Sequence, residues 1–157
     1  MTVPNDFDAI THNGDQGEDR FGSLLVREYQ VSPDLLFNVW VDRFDEWFAE
    51  RGAITRQLEP GAPYFFETIH AGQRHPHYGR ILAFQPGKLI EMTWLNEAGT
   101  RGVETVVRVE VRSSDDGGSQ LRLTHSGFRD KDTSSEHANA WSGILKERLE
   151  PVLYSRD

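Results

Sequence analysis

Histidine is the residue type in this sequence best placed to do chemistry, and two of the six stand out by position. His125 ends the alternating run Leu121-Arg122-Leu123-Thr124-His125. Alternate members of a strand share a face, so its imidazole should sit on an otherwise aliphatic surface with Leu121 and Leu123. A ring there could orient a ligand carbonyl or exchange a proton near neutral pH, which makes His125 the candidate catalytic residue. The plainer alternative is a strand-end histidine hydrogen-bonded to backbone. His137 stands at the head of the spaced set His137, Trp141, Leu145 and Leu149, and could reach the same region from the first turn of a helix. Thr105, in phase with the inward residues of its strand, adds a hydroxyl.

Other chemistry finds little support. His75 and His77 alternate beside His70 across a hairpin, but no carboxylate is spaced to complete a metal site, so no metal is expected. With no cysteine there is no thiol nucleophile, thiolate site or disulfide. Gly117-Gly118 is explained by its turn, and neither a nucleophile elbow nor a phosphate loop is present, so no cofactor is expected.

Seventeen Lys and Arg stand against 25 Asp and Glu, a net charge of −8, and the cations are scattered. A nucleic-acid partner is therefore not expected. No run approaches the roughly 18 apolar residues of a membrane span, and the acidic start lacks a basic-then-apolar leader, so a cytoplasmic protein is expected. The 157 residues suit one domain.

Residues 1–19 are polar and without period, and read as a flexible or loosely packed extension before a domain over 20–157. A strand is expected from Phe21 to Val31, and Ser32-Pro33-Asp34 then starts a short helix to about Val41. A second helical piece near Asp45 to Glu50 shares a dense aromatic face of Phe37, Trp40, Phe44, Trp47 and Phe48. From Ala53 to His125, runs rich in β-branched and aromatic residues alternate with Gly-containing turns, the pattern of an antiparallel meander. A type II turn at Gln85-Pro86-Gly87-Lys88 predicts the pairs Ala83 with Ile90, Ile81 with Met92 and Gly79 with Trp94. In the next two hairpins Trp94 meets Thr105, Met92 meets Val107 and Val107 meets His125, while Glu91 meets Arg108 and Glu110 meets Arg122 on the outside. This phase leaves Tyr78, Leu82 and Phe84 outside, apolar enough to pack on the extension or on a second copy as a homodimer. The one-sided sheet needs a cover. A capping box at Thr133-Ser134-Ser135-Glu136 starts the helix that supplies it through Trp141, Ile144, Leu145, Leu149 and Val152, with a kink or stop expected near Glu150 because of Pro151.

The order of one strand, two short helices, a curved meander and a long C-terminal helix resembles the helix-grip fold of the START and birch-pollen-allergen (Bet v 1-like) superfamily. Within it the chain is most similar to the family named after the activator of heat-shock-protein-90 ATPase. Three stretches carry the resemblance: Val39-Trp40-Val41-Asp42 with Trp47-Phe48; Gly79-Arg80-Ile81 through Pro86-Gly87-Lys88-Leu89 to Thr93-Trp94; and Leu121 to Phe128 with His137, Trp141 and Leu145. The resemblance implies an α+β fold in which an antiparallel sheet of about six to seven strands wraps around the C-terminal helix. Two departures from the family pattern, Ala140 where a Gly usually precedes the helix Trp and Gly61-Ala62 for a Gly pair, could narrow or reshape the enclosed space. The superfamily's iron-binding oxygenases need a Cys-rich partner domain, which a cysteine-free chain does not carry.

A sheet closed by a helix can leave an apolar pocket with sparse polar groups. The expected lining is Trp40, Trp47, Ile81, Met92, Trp94, Val107, Trp141 and Leu145, with Thr105, His125 and His137 as polar members. Binding of a small, largely hydrophobic molecule is the first expectation. A cyclase, dehydratase or lyase using His125 in the same cavity is the second, and a co-chaperone-like interaction module, suggested by the family resemblance alone, the third.

Overall fold

A computed structural model describes residues 7–13 and 19–155. Among the described residues eight strands form one antiparallel sheet: β1 (Asp8–Asn13), β2 (Asp19–Tyr29), β3 (Ile54–Arg56), β4 (Pro63–His70), β5 (Gln73–Gln85), β6 (Leu89–Trp94), β7 (Thr105–Ser113) and β8 (Ser119–Phe128). Their order is β1-β2-β8-β7-β6-β5-β4-β3, so the first strand after the short helices lies at one edge and the first strand of the chain at the other. The sheet thus has one strand more than the upper expectation. The addition is β1, which pairs Asp8 to Asn13 with Leu24 to Asp19 inside the stretch expected to be a loose extension. The remainder of that extension, residues 1–6 and 14–18, lies outside the described residues.

Between β2 and β3 come α1 (Pro33–Val41) and α2 (Phe44–Trp47). The Ser32 hydroxyl accepts from the Leu35 amide at 3.2 Å and Pro33 occupies the first turn, as the sequence signals. Helix α2 is a single turn, shorter than expected. The long C-terminal helix, α3 (Lys131–Ile144), begins before the anticipated capping box because Asp130 caps it, its carboxylate accepting from the Thr133 amide at 2.8 Å. Thr133 and Ser134 are then buried inside the first turn. The helix does not stop near Glu150 but changes its winding there. It widens into a π-helical segment over Leu145–Leu149 and re-forms as α4 (Glu150–Leu153), with Pro151 in the first turn of α4, where its missing N–H costs least.

The β6–β7 and β7–β8 registers agree with the sequence reading: Trp94 with Thr105, Met92 with Val107, Val107 with His125, Glu91 with Arg108 and Glu110 with Arg122. In β5–β6, Ile81 pairs with Met92 as expected, but Ala83 faces Glu91 and Phe84 faces Ile90. The β-bulge between Ile81 and Ala83 shifts the register and turns Phe84 inward, its ring 6.0 Å from that of Phe37. Tyr78 and Leu82 remain outside. The described part of the N-terminal segment pairs at the far edge of the sheet and so lies away from them.

Candidate functional site

Where the inward face of the sheet meets the helices, aromatic rings occupy the space. The Trp40 ring lies 4.6 Å from Trp47 and 5.9 Å, nearly parallel, from Trp141, and Trp94 lies 5.6 Å from Trp141. The Trp47 indole donates to the Val39 carbonyl at 2.9 Å. Ile81, Val107 and Leu145 are buried between them. A gap of about 10 Å³ bordered by Trp40, Ile90 and Met92, room for at most a single water, lies within this packing. Trp40, Trp47, Ile81, Met92, Val107 and Leu145 are therefore packed core.

His125 is fully buried. Its Nδ1 accepts from the Trp141 indole N–H at 3.0 Å, and since an indole nitrogen can only donate, the ring's proton must sit on Nε2. Nε2–H then donates to Thr105 Oγ1 at 2.8 Å, and the Thr105 hydroxyl donates to the Trp94 carbonyl at 2.7 Å. Burial, with His137 and His77 nearby, holds the imidazole well below its ordinary range, so it is neutral. Both ring nitrogens of His125 and the hydroxyl proton of Thr105 are engaged, which ties Trp141 of α3 to β6, β7 and β8. No lone pair or proton of His125 is left for a substrate.

Open space lies to the side of this core. A pocket of about 380 Å³ separates the β4–β5 hairpin from α3. Phe48, Trp94 and Trp141 form its floor, with Phe48 5.6 Å from Trp94 and 5.4 Å from Trp141. The hairpin contributes Thr68, Ile69, His70, His75 and His77, and the loop after β6 contributes Asn96, Ala98 and Gly99. Helix α3 supplies His137, Ala140 and Ile144, and its π-helical continuation Arg148. Of the residues expected to line a cavity, the structure brings Trp94, His137 and Trp141 together here. The rest belong to the closed core.

The pocket's imidazoles differ in what they have left to offer. His77 stacks flat on Phe66, rings 4.6 Å apart, and its Nδ1–H donates to the His75 carbonyl at 3.0 Å. Its Nε2 accepts from the Asn96 amide at 3.1 Å, and the Asn96 side-chain oxygen accepts from the Gly99 amide. Burial is the main cause that pushes His77 down to about 4. His137 donates Nδ1–H to the Thr133 carbonyl at 2.9 Å, the i−4 position of its own helix, which leaves Nε2 as a bare acceptor. Desolvation lowers His137 as well, against the opposing influence of that hydrogen bond and of Glu136. His70 and His75 stand at the rim, rings 6.4 Å apart, and among the described residues no group of three or more His, Asp or Glu is arranged to hold a metal.

Sequence reasoning missed the hairpin. The signal was present, since the pairs Phe66 with His77 and Thr68 with His75 put Thr68, His75 and His77 on the inward phase of strands that extend beyond the core.

Among the described residues no helix is long and apolar enough to cross a membrane. A search of curated proteins finds no match to the chain. Solved structures share the fold. An Activator of Hsp90 ATPase homolog protein from Silicibacter pomeroyi aligns with a TM-score of 0.68 at 22% identity, over 83% of this chain and 96% of that one. A Staphylococcus aureus protein of unknown function aligns at 0.67 with 16% identity, over 85% and 93%. The Aha1 dimer of Colwellia psychrerythraea, studied in solution, aligns at 0.65 with 12% identity, over 87% and 98%. At such identities the likeness is one of fold. The sequence model described as Activator of Hsp90 ATPase homolog 1-like protein matches residues 30–153, from the end of β2 through α4, and the chain belongs to that family.

Proposed function

We propose that the protein binds a small, largely hydrophobic molecule in the pocket between the β4–β5 hairpin and α3. The observation that carries this reading is a space of about 380 Å³ floored by three aromatic rings, beside a core in which Trp40, Trp47, Ile81, Met92, Val107 and Leu145 are buried. That volume lies in the ordinary range for small-molecule sites, roughly 300 to 1,000 Å³, and the mixture of an apolar floor with a few polar groups is their usual composition. Ala140 faces this space, so the departure from the family's Gly acts on the pocket wall. In this reading His125 holds the helix to the sheet and takes no part in chemistry.

A thermal-shift screen with fatty acids, aromatics and polyketide-like compounds tests it. A ligand at 100 times its dissociation constant adds about 2.7 kcal/mol to stability. Ala140→Phe, a change at an exposed helix position, should leave the unliganded melting temperature nearly unchanged and abolish the shifts. Shifts that persist in Ala140→Phe would place the ligand elsewhere. The exposed strip of Phe65, Tyr78 and Leu82 on the outer face is the surface this reading assigns to a homodimer, in keeping with the dimeric Colwellia relative. Tyr78→Lys should then lower the mass measured by light scattering, and an unchanged monomeric mass in both proteins would end that assignment.

A further inference from the structure

Resting on the pocket reading above, we infer that the ligand is a phenol-class aromatic whose hydroxyl donates a hydrogen bond to Nε2 of His137. Three observations converge on that atom. First, the Thr133 carbonyl takes up the Nδ1 proton, so the neutral ring can present only a lone pair at Nε2. Second, Nε2 has no hydrogen-bond partner among the described residues and is not among the sealed polar atoms, so it opens onto the pocket that His137 lines. Third, Gly99 carries no side chain beside it: a Cβ there would meet Asn96 Oδ1 at 2.8 Å and Nε2 at 3.2 Å, so the approach to Nε2 is open where any other residue would crowd it. Gly99 is not one of the glycines with positive φ; it is the Asn96 and His137 side chains beside it that leave no room for a Cβ.

The remaining polar groups sharpen the class. His77 has both ring nitrogens engaged, and the Asn96 amide is held between His77 and Gly99, so neither offers an unspent acceptor deep in the pocket. A desolvated, neutral imidazole accepts a proton donor well and repels an anion at its lone pair. Among the described residues that line the pocket, the one Lys or Arg is Arg148, which is exposed at the mouth. Beside Nε2, Trp94, Trp141 and Phe48 present ring faces and edges at spacings of 5.4 to 5.6 Å, surfaces that suit another planar ring. A donor on an aromatic ring meets both demands at once; an aliphatic acid meets neither.

Binding of 2-naphthol, naphthalene, 2-methoxynaphthalene and 2-naphthoate to the whole protein, followed by tryptophan fluorescence and calorimetry, tests the assignment. The wild type should bind 2-naphthol about 10-fold more tightly than naphthalene or the methyl ether, the effect of one net hydrogen bond. In His137→Leu that preference should vanish while naphthalene affinity is kept. Equal binding of 2-naphthol and naphthalene by the wild type would overturn the phenol assignment and leave the pocket reading standing. So would tightest binding of 2-naphthoate, which would give the ligand's polar end to Arg148, or a preference that survives in His137→Leu. Binding of none of the four would overturn both. The wild-type comparison needs no variant, so a His137→Leu protein that failed to fold would still leave the assignment open to refutation.

Discussion

His77 and His125 are buried as neutral rings, each with both nitrogens hydrogen-bonded, so that a second ring proton would break the bond at the accepting nitrogen. Acid should therefore unfold this protein earlier than it unfolds one whose histidines are solvated. In the unfolded chain both rings protonate near pH 6.5, whereas in the fold His77 is pushed down to about 4 and His125 well below its usual range. Between those values the unfolded state binds more protons than the folded one, so stability is complete above about pH 6.5 and falls as pH falls. From pH 7.5 to 5.5, a histidine that titrates only when unfolded removes about 1.4 kcal/mol, so the pair removes about 2.7 kcal/mol. His137, lowered and partly buried, adds to the loss in the same direction. Carboxylates do not mimic it: Asp116, held down to about 2, and Asp130, lowered by its cap hydrogen bonds, lose their contribution only as pH falls below the ordinary carboxylate range. Urea unfolding followed by tryptophan fluorescence at the two pH values gives the difference directly. A change below about 1 kcal/mol would mean that the rings are solvated or already charged in the fold, and the hydrogen-bond chain through His125 would be refuted.

Other substitutions probe separate parts of the structure. His125→Leu leaves the buried Trp141 N–H without an acceptor and should cost about 1 to 3 kcal/mol by urea unfolding, while ligand-induced thermal shifts persist because the ring does not line the pocket. Gly79→Ala would drive a methyl into Thr93 and the Tyr64 ring, and should destabilise by about 1 to 3 kcal/mol in the same assay. Ala71 and Gly72 both have positive φ in the two-residue turn of the β4–β5 hairpin, so Ala71→Asn should raise stability by a few tenths to about 1 kcal/mol, with a higher melting temperature as the readout.

The sequence exposes most of the fold because turn chemistry and strand phase constrain each other. Setting Met92 against Val107 forces Glu91 onto Arg108, and a slip by one residue would turn both arrangements inside out. The bulge after Ile81 left no such mark, since Ala83 and Phe84 are acceptable on either face until the Phe37 ring is placed beside them. Likewise, phase identifies Trp40, Met92 and Trp94 as inward but says nothing about whether their volumes fill the enclosed space. They nearly do, and the opening moves to the hairpin side of Trp94 and Trp141. The partners of His125 were legible one by one, Thr105 by register and Trp141 by helical spacing. Their closure into one chain depends on ring orientations that spacing does not encode.

Chemical-shift mapping of 2-naphthol onto the backbone amides and indole N–H groups bears most directly on the pocket between hairpin and helix. Binding there should perturb Ile69, Gly99, Ala140, Ile144 and the Trp94 and Trp141 indoles, and leave Val109, Leu123 and the β1–β2 pair unmoved. Perturbations centred on the buried Met92, Val107 and Leu145 set, with Gly99 and Ala140 silent, would place the ligand inside the core and contradict the account.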